Sequence, residues 1–231
     1  MNELVNDLLK QLNCETVFTI YPFGIKIPVA ESVVVTWIIM AVMVLASIIL
    51  TKNLKVEKPG KAQVFLESAI SWMYHFFEES LGKNGKRYIP YMITIMLYIG
   101  VANLIGLFGF KSPTKDLNVT AALALMSIVL IEYAGIHQKG VKKWVKGFAE
   151  PIAIIAPINV LEIFIRPLSL CMRLFGNVLG SFVIMELLKL VVPLFVPIIF
   201  SLYFDIFDGL IQAYVFVFLT SLFIKEAIET E

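Results

Sequence analysis

Long uncharged stretches, separated by short charged segments, set the hydrophobic pattern of this sequence. Residues 33–50 carry no charged side chain, and a helix of that length extends about 27 Å, close to the hydrocarbon thickness of a bilayer. We therefore predict a first membrane span over residues 33–51. Two further apolar segments, 89–110 and 117–136, predict a two-span hairpin over residues 89–138, and Asp116 is placed to cap its second helix.

Residues 62–80 show a different pattern, because their apolar side chains recur at helical spacing on one side only. These apolar positions are Phe65, Ala69, Trp72, Met73 and Phe76. Polar and acidic side chains occupy the other side. The segment is therefore predicted to form an amphipathic helix that lies at the membrane interface.

The last third of the chain is almost continuously apolar, from residue 152 to residue 228. Pro193 and Pro197 are expected to divide it into two helices, 152–191 and 198–228. Each helix exceeds the roughly 20 residues that a perpendicular crossing needs, so we expect a long tilted hairpin.

The hydrophobic pattern as a whole predicts an all-α polytopic membrane protein with about five membrane helices and one interfacial helix. We expect a single membrane domain over residues 1–231, in which residues 1–32 form an outer N-terminal segment. Lys52, Lys55, Lys58 and Lys61 follow the first span, and four more lysines lie between residues 139 and 146. An excess of lysine and arginine marks the cytoplasmic side, which predicts an outer N-terminus and a cytoplasmic C-terminus.

Composition supports the membrane class, since 59% of the 231 residues are apolar and 16% are charged. Nineteen basic and eighteen acidic residues leave a net charge of +1, which argues against a nucleic-acid partner. The sequence has no phosphate-cradling GxxxxGK[ST] motif, so the chain is not expected to hydrolyse nucleotides or to act as an enzyme by itself. Cys14 and Cys171 lack metal-binding spacing, and no cofactor or metal is expected.

Ionisable side chains interrupt the apolar stretch between residues 151 and 224 at seven positions. These are Glu162, Arg166, Arg173, Glu186, Lys189, Asp205 and Asp208. A charge at mid-membrane costs about 2.5–3.5 kcal/mol on insertion scales. Such groups usually face water, a partner charge or a transported ion, so they are candidate functional residues.

Helical spacing arranges these groups as two polar stripes. At 100° per residue, one face of the first long helix carries Glu162, Arg166, Ser169, Arg173 and Asn177. The second helix carries a comparable stripe, formed by Asp205, Asp208 and Gln212. Two polar stripes on two apolar helices predict a hydrated ion path between or beside them.

Simpler interpretations of some of these charges remain open. Glu162 and Arg166, four residues apart, can form an internal ion pair, and Glu186 and Lys189 can pair at the interface. Arg173 differs because the sequence offers it no acid three or four residues away.

Three segments resemble subunit a of the F-type ATP synthases: RPLSLCMRLFGN at 166–177, NLIGLFGF with DLNVTAALAL between 103 and 125, and GLIQAYVFVFLTSLFI at 209–224. This resemblance implies two aqueous half-channels, divided by one essential arginine that exchanges ions, expected to be protons, with a rotating ring of c subunits. It further implies a multi-pass protein of the cell (inner) membrane. The expected partners are the c ring, a b-type peripheral stalk, the rest of the synthase and membrane lipid.

The resemblance also assigns roles to individual residues. Arg173 matches the essential arginine, and Asn177 and Gln212 match polar residues near it. Glu162 matches an acidic position of the cytoplasmic half-channel, and Asp205 matches a position of the outer half-channel that is usually His or Glu.

One position departs from the pattern of that family. Phe182 stands nine residues after the arginine, where the family often has Glu or His, and Glu186 or Asp208 are candidate replacements. Two other functions compete with the synthase assignment: an independent secondary ion transporter or channel, and a structural membrane subunit without a conduction role. A transporter fold often contains internal repeats, and the pattern of 152–228 has no repeat in residues 1–150.

Overall fold

The computed structural model describes residues 16–21, 27–52, 54–55, 59–108, 110–147, 156–191 and 200–229. The described chain opens with two short antiparallel strands, β1 (Thr16–Ile20) and β2 (Ile27–Ala30), in which Ile20 pairs with Ile27. Helix α1 (Glu31–Thr51) follows β2 directly. Both strands lie within residues 1–32, the predicted N-terminal segment.

Four helices make up the central part of the described chain, and the last of them was not predicted. They are α2 (Lys61–Leu81), α3 (Ile89–Leu104), α4 (Leu117–Lys139) and the short α5 (Val141–Gly147). Three 3₁₀ segments connect them, at Lys83–Tyr88, Ile105–Phe108 and Pro113–Lys115. Asp116 caps α4 as predicted, since its side chain accepts a hydrogen bond from the backbone N–H of Asn118.

The C-terminal third contains two long helical segments. Helix α6 (Ala156–Val191) includes Pro167, which lacks an N–H and so removes one hydrogen bond from the helix interior. A π-helix (Leu202–Asp208) then leads without a break into α7 (Gly209–Ile228). Residues 192–199, with both predicted helix-breaking prolines, lie outside the described residues.

The buried core lies between α3, α4, α6 and α7, with α2 packed against α7 from outside. Its largest fully buried side chains include Phe77, Ile99, Ile131, Leu174 and Phe216, one from each of these five helices. In contrast, α1 buries only Ser32, Val35 and Ile39. The core therefore supports α6 and α7 while α1 presents most of its surface outward.

Polar contacts hold the N-terminal end of α1. The Ser32 hydroxyl donates a hydrogen bond to Oδ2 of Asp116 over 2.5 Å, and Lys111 Nζ lies 2.8 Å from Oε2 of Glu31. Further along α1, the hydroxyls of Thr36 and Tyr98 are 3.1 Å apart. These contacts join α1 to α3 and to the start of α4.

A charged contact also closes the corner between α2 and α3. The Lys86 ammonium donates a hydrogen bond to the Glu78 carboxylate, and this bond lowers the pKa of Glu78 below its ordinary value. Both groups are exposed enough for solvent to screen the pair, so it orders the corner more than it stabilises the fold.

Among the described residues, five helices are long and apolar enough to cross a membrane: Glu31–Thr51, Asn84–Leu107, Leu117–Lys139, Ala156–Met185 and Leu202–Ile228. This finding confirms the predicted all-α polytopic fold. Helix α2 is not among them, and its placement at the interface stays a prediction.

Candidate functional site

Arg173 lies on the outward side of α6. Its neighbours Leu170, Cys171 and Leu174 are buried against the core, whereas Met172 and Arg173 are exposed. Within the described residues, the Arg173 guanidinium makes no hydrogen bond and has no acid within 4 Å.

Asn177, one helical turn after Arg173, connects α6 to α7. Its Nδ2 donates a hydrogen bond to Oε1 of Gln212 over 2.6 Å. Gln212 is buried, and its Nε2 finds no partner among the described residues. A buried donor without a partner costs free energy, so the Gln212 amide nitrogen can still donate a hydrogen bond to a water molecule or another polar group.

The π-helix positions the two acids that precede α7. The backbone N–H of Gly209 donates to the carbonyl of Phe204, the i−5 bond that defines this wider helix. Asp205 and Asp208 are both half-buried on this segment. The Ser201 hydroxyl donates to Oδ2 of Asp205 over 2.5 Å and so fixes the orientation of that carboxylate.

Both acids and Gln212 line a cavity of about 530 Å³. Asp205, Asp208 and Gln212 line one side, Ser181 and Phe182 line another, and the segment after α3 closes it. Gln212 belongs both to this cavity and to the Asn177 hydrogen bond, so it joins the acids to the turn of α6 that follows Arg173.

Two lysines of the segment after α3 also line this cavity. Lys115 is buried and places its ammonium 3.2 Å from the centre of the Phe182 ring, a cation–π contact. Lys111 is paired with Glu31, as described above. Lys115 was not among the predicted site residues, because it lies 67 positions from Phe182 and no helical spacing connects them.

Arg166 forms the second polar contact between the long helices. One nitrogen, Nη2, lies 3.1 Å from Oε1 of Glu162 and 2.7 Å from Oε1 of Glu226, while the guanidinium covers the Phe223 ring at 4.9 Å. The structure therefore realises the open alternative in which Glu162 and Arg166 pair internally. Glu226 was missed, because no periodicity relates residues 60 positions apart.

The remaining candidates separate by exposure. Glu162 and Ser169 are exposed on α6, on the stripe that also carries Arg173. Glu186 lies within α6, but its side chain and that of Lys189 lie outside what the structure describes. The interfacial pair proposed for those two residues stays a prediction.

Comparison with known proteins matches residues 33–225 to the family described as ATP synthase A chain. ATP synthase subunit a of Moorella thermoacetica is 38% identical over 199 residues, which cover 86% of this chain and 90% of that protein. The subunit a of Geotalea daltonii is 38% identical over 213 residues, covering 90% and 92%. A sodium-ion-specific subunit a of Propionigenium modestum is 31% identical over 231 residues, covering 90% and 80%.

Proposed function

Because this chain belongs to the ATP synthase A chain family, we propose that it passes protons between two half-channels and a c ring. Membership of this family makes it a multi-pass, ion-translocating subunit of the membrane sector of an F-type ATP synthase. The family assignment favours this function over an independent transporter. Hydrolysis or synthesis of ATP then belongs to other subunits of the complex.

The observation that carries the proposal is the exposed Arg173 without an acidic partner among the described residues. A guanidinium does not deprotonate in proteins, so its charge persists throughout a transport cycle. A permanent cation on an exposed apolar helix can be satisfied by acids that arrive from outside the chain. Carboxylates carried past on a rotating ring are such acids.

The physics of exchange follows from two environments. A ring carboxylate facing lipid is stable only when neutral, because desolvation disfavours its charged form. Near Arg173 the ionised form gains about 4 kcal/mol at 4 Å and an effective dielectric of 20. The proton therefore leaves as the site approaches Arg173, and the same positive charge blocks direct leakage from one half-channel to the other.

The outer half-channel is proposed to use the cavity beside the π-helix. Asp205 is the principal proton carrier of this path, and Asp208 and Gln212 assist it. Gln212 lines the cavity and accepts a hydrogen bond from Asn177 on α6, which supports a path that ends next to Arg173. The Lys115 ammonium covers the Phe182 ring. Glu186 remains a candidate for the proton-carrying side chain that Phe182 does not supply.

The cytoplasmic half-channel is proposed to use Glu162 and Ser169, which are exposed on the Arg173 face of α6. Arg166 holds Glu162 in place through their ion pair. The proposed membrane is the cell (inner) membrane, with the N-terminus outside and the C-terminus in the cytoplasm. A potential of 100 mV supplies about 2.3 kcal/mol per charge and biases the direction of rotation.

The proposed partners are the c ring and a b-type peripheral stalk. The strongly apolar exposed face of α6, which includes Phe164, Leu168 and Met172, suits contact with an apolar ring. A purely structural role is disfavoured, because it gives no reason for an exposed cation on that face.

The test is ATP-driven ion transport by the intact complex in proteoliposomes, with and without Na⁺. We expect acidification of the lumen in Na⁺-free buffer and a proton stoichiometry that added Na⁺ leaves unchanged. Strict dependence of ATP hydrolysis on Na⁺ would reject the proton assignment while retaining the coupling role. Isolation of the chain without a c ring would reject the coupling role itself.

A further inference from the structure

Two glycines lie where the π-helix and the start of α7 pack against the end of α3 and the 3₁₀ segment that follows it. Asn103 Nδ2 donates to the carbonyl of Gly209 over 2.9 Å, and a Cβ added at Gly209 would lie 2.9 Å from Cβ of Asn103. Nearby, a Cβ added at Gly106 would lie 3.3 Å from Oδ1 of Asp205. A side chain at residue 106 or at residue 209 would therefore crowd the facing segment.

This contact makes the two oxygens of Asp205 inequivalent. Oδ2 accepts the Ser201 hydrogen bond, whereas Oδ1 faces Gly106 and has no donor among the described residues. Gly106 and Asp205 both line the 530 Å³ cavity. The space that a side chain at residue 106 would fill is thus continuous with the cavity and adjoins Oδ1.

The surroundings leave the π-helix little freedom to retreat. Asn103 holds the Gly209 carbonyl, and the Thr114 hydroxyl donates to Oδ1 of Asn103 over 2.7 Å. Thr114 and Asn103 are both buried, so this chain of hydrogen bonds is rigid. A methyl group at residue 106 would therefore displace the Asp205 carboxylate rather than the helix.

We propose that Gly106 is a positioning residue that keeps Oδ1 of Asp205 open to the cavity, and that Oδ1 is the atom that takes up the proton. This inference rests on the proposed role of Asp205 in the outer half-channel. Water in the cavity delivers a proton to Oδ1, which converts the carboxylate to the neutral acid. Release of the same proton toward α6 restores the carboxylate, while Oδ2 keeps its bond to Ser201.

The experiment compares Gly106→Ala with Gly100→Ala, a control six residues earlier in the chain, on α3. A Cβ at Gly100 meets only Cδ2 of Leu210, at an ordinary 3.9 Å. Both substitutions are made in the parental chain and in Asp205→Asn, and ATP-driven proton pumping is measured for equal amounts of intact complex. We expect Gly106→Ala to slow pumping about threefold to tenfold in the parental chain, and Gly100→Ala to leave it unchanged.

The Asp205→Asn background separates positioning from general packing. Because Gly106 acts through the Asp205 carboxylate, Gly106→Ala should cause no further loss once that carboxylate is an amide. An equal loss in both backgrounds, failure of assembly in both, or no loss in the parental chain would overturn the inference. If Asp205→Asn alone pumps at the parental rate, the proposed outer path fails instead.

Discussion

Asn177 on α6 and Gln212 on α7 meet through a single hydrogen bond of 2.6 Å, one helical turn from Arg173. The bond crosses between the two long helices beside the candidate arginine and also touches the cavity that contains Asp205. It therefore fixes the spacing of the two polar stripes at the point where the proposed half-channel approaches Arg173. A second contact, from Arg166 to Glu226, holds the same helices together closer to the start of α6.

The first prediction concerns this amide pair. Asn177→Ala and Gln212→Ala remove the same hydrogen bond, so their effects on stability should not add, with a coupling of about 1 kcal/mol. Thermal unfolding of the intact complex, measured for both single variants and the double variant, checks this. Thr94→Ala is the control, because the Thr94 hydroxyl donates to the Pro90 carbonyl within its own helix, α3. Fully additive losses would show that the bond does not couple the helices.

The second prediction concerns Arg173. Arg173→Ala should abolish ATP-driven pumping and ion-driven synthesis, because ring carboxylates lose the cation that favours their ionised form. The complex should still assemble, since substitution of an exposed side chain typically changes stability by less than about 0.5 kcal/mol. Val129→Ala, which shortens an exposed apolar side chain on α4, serves as the control. Normal coupled pumping by Arg173→Ala in inverted vesicles is incompatible with the proposed role.

The third prediction separates the two acids of the π-helix. Asp205→Asn should slow transport more than Asp208→Asn, because an amide cannot carry the proton and Asp205 is the principal carrier of the proposed path. Initial rates of ATP-driven proton uptake, normalised to the amount of complex, provide the comparison. Equal small effects of both substitutions would remove Asp205 from the proton path.

The fourth prediction concerns Arg166, which contacts two acids and one aromatic ring. Arg166→Ala should lower stability by about 1–3 kcal/mol, because it removes charged hydrogen bonds from a half-buried position together with the cover over Phe223. Glu226→Gln should cost about 0.5 kcal/mol, since its carboxylate is largely exposed. The exposed pair of Lys225 and Glu229 offers a control in Lys225→Ala. Unfolding midpoints that are equal for Arg166→Ala and Glu226→Gln would contradict this account.

Helix positions could be predicted from the sequence because their causes are local. A membrane helix satisfies its own backbone hydrogen bonds, so the length and polarity of a segment largely determine where it crosses. The Asp116 cap is equally local, because it depends on a side chain and a backbone N–H two residues apart. For the same reason the stripe containing Arg173 followed from helical spacing alone.

The features that sequence reasoning missed depend on tertiary packing. Glu226 reaches Arg166 only because α6 and α7 lie side by side, and Lys115 reaches Phe182 only because a 3₁₀ turn points into the cavity. The π-helix is likewise unmarked in the sequence, since its apolar composition equally suits an α-helix. The short strands β1 and β2 gave no signal strong enough to compete with the neighbouring membrane span.

The hydrogen bond from Ser32 to Asp116 sets an order on how the chain is built. Its acceptor is synthesised 84 residues after its donor, so the first span enters the bilayer long before its anchor exists. Before the ribosome has delivered the start of α4, α1 can contact Tyr98 of α3 through Thr36, but its N-terminal end lacks the Asp116 acceptor. Formation of this hydrogen bond therefore requires that both α1 and the start of α4 are already in place.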